Sequence, residues 1–174
     1  INHTISLAAN LKQALLNEPM LQQSYQRVNV LIASPSFTTV PVAAFQKEDI
    51  ESFYNLVFPK EKSKHVSYNV LRRSGIAIVF GLERSIYQLL LDDFPRARFY
   101  AAASTLIEFF SEKSLIGNGK KMYAYLHDKE MTIYAFEQGR MLFVNTFAAK
   151  AVADMQYYIL HVWKELGLDQ IDDS

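Results

Sequence analysis

The stretch that most constrains this chain is YAYLHDKEMTIYAFEQGRMLFVNTF, Tyr123 to Phe147. Runs rich in β-branched and aromatic residues, Lys121–His127, Met131–Phe136 and Met141–Thr146, alternate with two short polar breaks. This pattern predicts three antiparallel strands joined by tight turns. The second break, Glu137-Gln138-Gly139-Arg140, places glycine where a positive φ is easy. The first, His127-Asp128-Lys129-Glu130, has no glycine. A helix is expected next, over about 148–166, because Val152, Met155, Ile159, Val162 and Leu166 recur at spacings of three and four. Gly167 is its expected stop.

The rest of the chain mixes the same two kinds of element. Ile5, Ala8, Leu11 and Leu15 predict an amphipathic helix over about 3–17. VNVLIAS, Val28–Ser34, reads as a buried strand and FTTVP, Phe37–Pro41, as a second one. Ile50, Phe53, Tyr54 and Val57 mark a helix over about 47–58. Strands are expected at Val66–Leu71 and Ile76–Phe80, around the turn Arg72-Arg73-Ser74-Gly75. A helix over Ser85–Asp92, a strand over Arg98–Ala102 and a further helix follow. Ser104 or Thr105 caps that helix in this reading, with Thr105 and Glu108 at capping-box spacing and Leu106, Phe109 and Phe110 on its apolar face. Gly117-Asn118-Gly119 then breaks the chain before the meander. The expected class is α/β, with helices layered on mixed sheet.

Composition removes whole classes of function. Half the residues are hydrophobic and 13% aromatic, enough for a large core. Lysine and arginine total 18, as do aspartate and glutamate, a formal net charge of zero. That is not the basic footprint of a nucleic-acid binder, and it leaves little repulsion between copies, so self-association or a protein partner is expected. With no cysteine there is no disulfide framework, thiolate metal site or cysteine nucleophile; this fits the cytoplasm. No apolar run reaches the roughly 20 residues of a membrane span. The opening INHTISLAANLKQ lacks the features of a signal peptide.

Sites of chemistry are few. Ile116–Lys121, IGNGKK, lacks the spacing, the Ser or Thr and the following helix of a phosphate-binding loop, and reads as a loop entering a strand. His3, His65, His127 and His161 never stand four apart, as a helical zinc pair would. His127, Asp128 and Glu130 are the set able to hold a hard cation, although a solvated turn has the same composition. The pairs Asp92-Asp93 and Asp172-Asp173 read as solvated ends of elements, and Pro59–His65 as a solvated loop or a basic contact patch. On the last helix Asp154 and Tyr158 share a face, bordering a ligand or packing on the sheet. Tyr157 and Trp163 fall off the core stripe and are candidate partner-binding residues.

FTTVPVAAF (Phe37–Phe45), GRMLFVNTF (Gly139–Phe147) and DMQYYIL (Asp154–Leu160) together resemble a family of uncharacterised bacterial proteins defined as a domain of unknown function. That family is similar to the actin-like ATPase superfamily, which takes in sugar kinases, heat-shock chaperones and pilus-assembly ATPase-like proteins. The resemblance implies two ribonuclease-H-like lobes, each opening on a three-stranded meander followed by a helix. Residues 1–116 are then a first lobe, incomplete at its start, and 117–174 the start of a second; the chain reads as the middle of a longer protein. In active members of that superfamily the meander's first turn carries an acid and a glycine, so that backbone N–H groups approach phosphate. Asp128 stands where the acid belongs, nothing stands for the glycine, and Glu130 repels phosphate. The resemblance thus implies a degenerate, non-catalytic fold acting through protein contacts. Its alternative is an ATP-binding protein or ATPase, using ATP and Mg²⁺ at Asp128, whose phosphate site lies partly outside this segment.

Overall fold

The computed structural model describes residues 4–61 and 64–174. His3 and part of the Pro59–His65 loop lie outside them. The chain divides into two compact units, one of residues 1–70 and 77–102, the other of residues 71–76 and 103–174.

The first unit opens with helix α1, Leu7–Asn17, started by Ser6, whose hydroxyl accepts the Ala9 amide at 3.2 Å. The predicted start at residue 3 is therefore too early. Strand β1, Asn29–Ile32, pairs in parallel with β5, Arg98–Ala101. β1 was expected to be buried, but Leu31 is exposed, because among the described residues the pair has no further strand beside β1. Strands β2 (Phe37–Pro41), β3 (His65–Leu71) and β4 (Ile76–Leu82) form a second sheet in the order β2-β4-β3. Central β4 is almost wholly buried, and its run IAIVFGL is apolar throughout, as a strand covered on both faces requires. Helix α2, Ile50–Val57, follows a 3-10 turn at Lys47–Asp49. Its Tyr54 sits in a cluster with Val40 and Val79, flanked by Phe45, Ile50, Phe53 and Phe58. Helix α3 spans Arg84–Asp93.

The Asn69 side chain bridges the two sheets of this unit. The Asn69 amide donates to the Phe99 carbonyl at 3.0 Å and accepts the Ala101 amide at 2.9 Å. It occupies the place of a backbone partner along β5, so these buried strand groups stay satisfied.

The second unit is built on the meander: β6 (Lys120–His127), β7 (Glu130–Glu137) and β8 (Arg140–Ala148), all antiparallel, with β7 central. Both faces of β7 are covered. Helix α5, Val152–Glu165, packs Met155, Tyr158, Ile159 and Val162 over Met131 and Ile133. Val152 is exposed, so the stripe predicted from the sequence begins one turn later. Gly167 ends the helix at φ +57°, as expected. On the opposite face Phe110 stacks on Tyr123, with ring centroids 4.3 Å apart, and tilts against Tyr134 at 5.4 Å.

Phe110 belongs to α4, Ala102–Lys113, which departs from the sequence reading. It begins directly after β5, so Ser104 is a buried residue of its interior rather than a cap, and the expected Thr105–Glu108 box does not start it. Ile107 is its fully buried residue, and Phe109, expected on the apolar face, is exposed. Helix period alone fixes which residues share a face, not which face meets the sheet.

A second departure is the tail. Asp169–Ser174, expected to be solvated, docks on the edge of β6. Ser174 donates to the Lys120 carbonyl at 3.0 Å and accepts the Met122 amide at 2.6 Å. The Asp173 carboxylate takes the amides of Lys120 at 2.5 Å and Asp169 at 2.7 Å. The Asp169 amide, then the balance of burial against the bonds and charges of Lys120 and Lys121, holds that carboxyl below its usual range. The neighbouring Asp172 is exposed.

Candidate functional site

Of the meander's two turns, the first carries the acid that the resemblance sets at a phosphate grip and the second carries the glycine, and the backbone treats them alike. Asp128 and Lys129 lie at φ +46° and +65°, Gln138 and Gly139 at +50° and +81°. Two consecutive left-handed residues closing a two-residue hairpin make each a type I′ turn, whose twist matches the flanking strands. The first turn therefore adopts a left-handed backbone without the glycine that usually permits it. Asp tolerates that region through local hydrogen bonding; Lys129 takes it at a steric cost.

The environment of the first turn is open. Asp128 is 88% exposed, and its Oδ2 lies 3.3 Å from His127 Nδ1. The Lys129 carbonyl accepts the Ala149 amide at 2.8 Å, which ties the turn to the end of β8. His127 and Glu130 face each other across the strand pair, so a carboxylate sits on each side of Lys129. Among the described residues no three His, Asp or Glu side chains converge, so His127, Asp128 and Glu130 are not gathered as a cation site. The side chains of Asp128 and Lys129 stand where a phosphate would need bare backbone.

The second turn has the glycine, but its polar groups are taken. The Gly139 amide donates to Ser114 Oγ at 3.0 Å, and its carbonyl accepts from Ser111 Oγ at 2.7 Å. Ser114 is wholly buried and donates in turn to the Ser111 carbonyl at 2.7 Å. Gln138 reaches the Gly117 carbonyl at 2.9 Å. The end of α4 thus clamps this turn. IGNGKK serves as the loop that leads into β6, with Gly119 beneath the tail: a Cβ there would overlap the Asp172 carbonyl oxygen.

On α5 the candidates separate. Tyr157 is 63% exposed and lies parallel to His161 at 5.8 Å. Trp163 is half-buried. Asp154 is occupied as a cap: its Oδ2 accepts the amides of Lys150 at 3.0 Å and Ala151 at 2.9 Å. Tyr158 stacks on Phe147 at 4.3 Å and belongs to the core. Asp92 accepts from Gln88 at 2.7 Å, one turn earlier in α3.

Sequence reasoning missed a polar cluster in the first unit. Fully buried Tyr54 donates to Glu61 Oε2 at 2.6 Å, and Ser36 donates to Oε1 at 2.9 Å. Lys64 lies 2.6 Å from the same carboxylate. Burial works to raise the Glu61 carboxyl, but the bonds from Lys64, Tyr54 and Ser36 outweigh it and hold it below its ordinary value. Burial, and then the Glu61 hydrogen bond and charge, push the Tyr54 phenol well up. Gly81 lies against this ring, and a Cβ there would overlap the Tyr54 hydroxyl. The Tyr54–Glu61 spacing of seven residues across a loop has no sequence signature. His65, at the start of β3, stacks on Tyr87 at 3.6 Å, and burial followed by the Arg84 charge lowers its pKa. No helix among the described residues is long and apolar enough to cross a membrane.

Comparison with known proteins places this geometry. A Bacteroides thetaiotaomicron VPI-5482 protein described as having an actin-like ATPase fold and unknown function is 40% identical, with a TM-score of 0.95 over 99% of this chain and 67% of that one. A type IV pilus biogenesis complex, PilM-PilN, is 10% identical with a TM-score of 0.41, covering 93% of this chain and 52% of that one. No curated protein matches. The chain thus spans about two thirds of the Bacteroides protein, and the expected actin-like architecture is the one found. The family model described as "Protein of unknown function (DUF3822)" matches residues 1–174, and the chain belongs to that family.

Proposed function

We propose that this chain is a non-catalytic, cytoplasmic part of a protein-interaction or scaffold protein that keeps an actin-like fold without its phosphate grip. The observation that carries this reading is the state of the two meander turns. The first puts two side chains and two carboxylates where bare backbone is needed. The second has its glycine amide and carbonyl engaged by Ser114 and Ser111. A phosphate arriving at either turn meets no free glycine amide. Exposed Tyr157 and half-buried Trp163 on α5 supply amphipathic contact area for a protein partner or a second copy.

Turnover of Mg²⁺-ATP by the full-length protein is the test. No release of phosphate above the protein-free rate is expected. Hydrolysis that disappears in Asp128→Ala would instead establish a nucleotide site at the first turn. Light scattering across a concentration series then separates self-association from a monomer awaiting another partner.

A further inference from the structure

A second polar site lies wholly within the second unit. The tip of the β3–β4 hairpin, Arg72-Arg73-Ser74-Gly75, faces α4 and the β7–β8 turn across a hollow of about 480 Å³. Three arginines line it, Arg72, Arg73 and Arg140. Arg72 and Arg73 are exposed, and among the described residues neither has an ion pair or hydrogen bond. Arg140 is 76% exposed and is held only loosely, 3.5 Å from Glu137. Ser74, which lines the same hollow, carries the one buried side-chain oxygen without a hydrogen-bond partner among the described residues, its Oγ. Buried hydroxyls are nearly always paired, so an orphan beside unpaired guanidinium groups points to a missing partner. At Gly75, φ +67°, nothing lies within 4 Å of where a Cβ would be, so the approach to the turn is open.

The opposite wall restricts what fits. Glu108 and Glu112 of α4 are exposed and line the same hollow. A run of negative charge is attracted to one side and repelled by the other. An isolated oxyanion next to a cation suits both: the planar guanidinium forks take the oxyanion with two parallel N–H bonds, and the glutamates take the cation.

We propose that this hollow binds a protein segment in which one acidic side chain, a carboxylate or a phosphoserine, neighbours a lysine. The Ser74 hydroxyl donates to the oxyanion, Arg72 and Arg73 flank it, and Glu108 and Glu112 receive the lysine. The assignment rests on the protein-contact reading above and gives it a ligand chemistry.

The test is fluorescence anisotropy on the full-length protein with short labelled peptides centred on Glu-Lys, phosphoserine-Lys, Glu-Glu and Gln-Gln. At least one of the two mixed-charge peptides should saturate with a Kd below about 1 mM, and more tightly than Glu-Glu or Gln-Gln. Whichever mixed peptide binds better identifies carboxylate or phosphate as the source. Replacing both guanidinium groups (Arg72→Gln with Arg73→Gln) should weaken binding by about tenfold or more, since these exposed side chains are dispensable for folding. Ser74→Ala should weaken binding without lowering the thermal midpoint, because the hydroxyl has no partner to lose in the free protein. The proposal is overturned if neither mixed peptide binds better than Gln-Gln, if Glu-Glu binds best, or if the arginine variant binds as well as the parent. Those outcomes leave the nucleotide assay unaffected, so a wrong ligand and a wrong function are distinguishable.

Discussion

The Gly139 amide donates to the buried Ser114 hydroxyl at 3.0 Å, so the residue that follows α4 holds the one glycine-bearing turn of the meander by its backbone. Ser114→Ala removes the acceptor and leaves that amide with no partner. An orphaned donor of this kind costs about 1–3 kcal/mol. The urea midpoint should fall accordingly with an unchanged m-value. A midpoint equal to the parent's would mean that the turn is not held by this bond.

The opposite sign is expected at the first turn. Lys129 carries a φ of +65°, a conformation that costs a non-glycine residue about 1–2 kcal/mol. Lys129→Gly removes that strain but gives the unfolded chain more freedom, by about 0.5–1 kcal/mol. A net gain of up to about 1.5 kcal/mol in chemical denaturation is predicted. Loss of stability would show that the Lys129 side chain makes a contact that matters.

Gly119 passes beneath the Asp172 main chain. Gly119→Ala should lift the tail from β6. Hydrogen exchange then reads the effect locally: the Met122 amide, bonded to Ser174 at 2.6 Å, should lose protection, while the Ile133 amide in central β7 keeps it. Equal protection at Met122 in both proteins would contradict the docking.

Tyr54 and Glu61 give opposite pH limbs. The folded Glu61 carboxyl lies below its ordinary value of 4.5, so the unfolded chain takes up its proton first as pH falls. Its stabilisation is present above that ordinary value and is lost as pH falls through the lower folded one. The Tyr54 phenol is raised above its ordinary value of 10, so its contribution is full below pH 10 and declines as the pH climbs beyond. Tyr54→Phe should abolish the alkaline decline from this group and lower stability by about 1.5–3 kcal/mol, the range for a hydrogen bond to a charged acceptor. Glu61→Gln should flatten the acid limb. Thermal midpoints measured across both limbs test the pair.

What the sequence disclosed was local. The three strands of the meander, FTTVP and the α5 stripe each repeat a period that burial imposes on neighbouring residues, so they could be placed within a residue or a few. The start of α4 could not, because it follows β5 without a polar cap between Ala101 and Ala102. The tail was misread because Asp173 meets Lys120 across 53 positions, and such a bond leaves no periodic trace. The Tyr54–Glu61 pair, seven residues apart across a loop, and the orphaned Ser74 within a turn repeat no period either, so neither showed in the sequence. At the first turn the absence of glycine does not prevent the left-handed backbone, which Asp128 and Lys129 both adopt.

The proposed reading leaves the actin-like fold here without a phosphate grip. Calorimetric titration of the folded full-length protein with ATP and Mg²⁺ tests it most directly, at concentrations that resolve a Kd up to about 1 mM, roughly −4 kcal/mol. No saturable heat is expected. Saturable binding that weakens in Asp128→Ala would contradict it and make the first meander turn a nucleotide site.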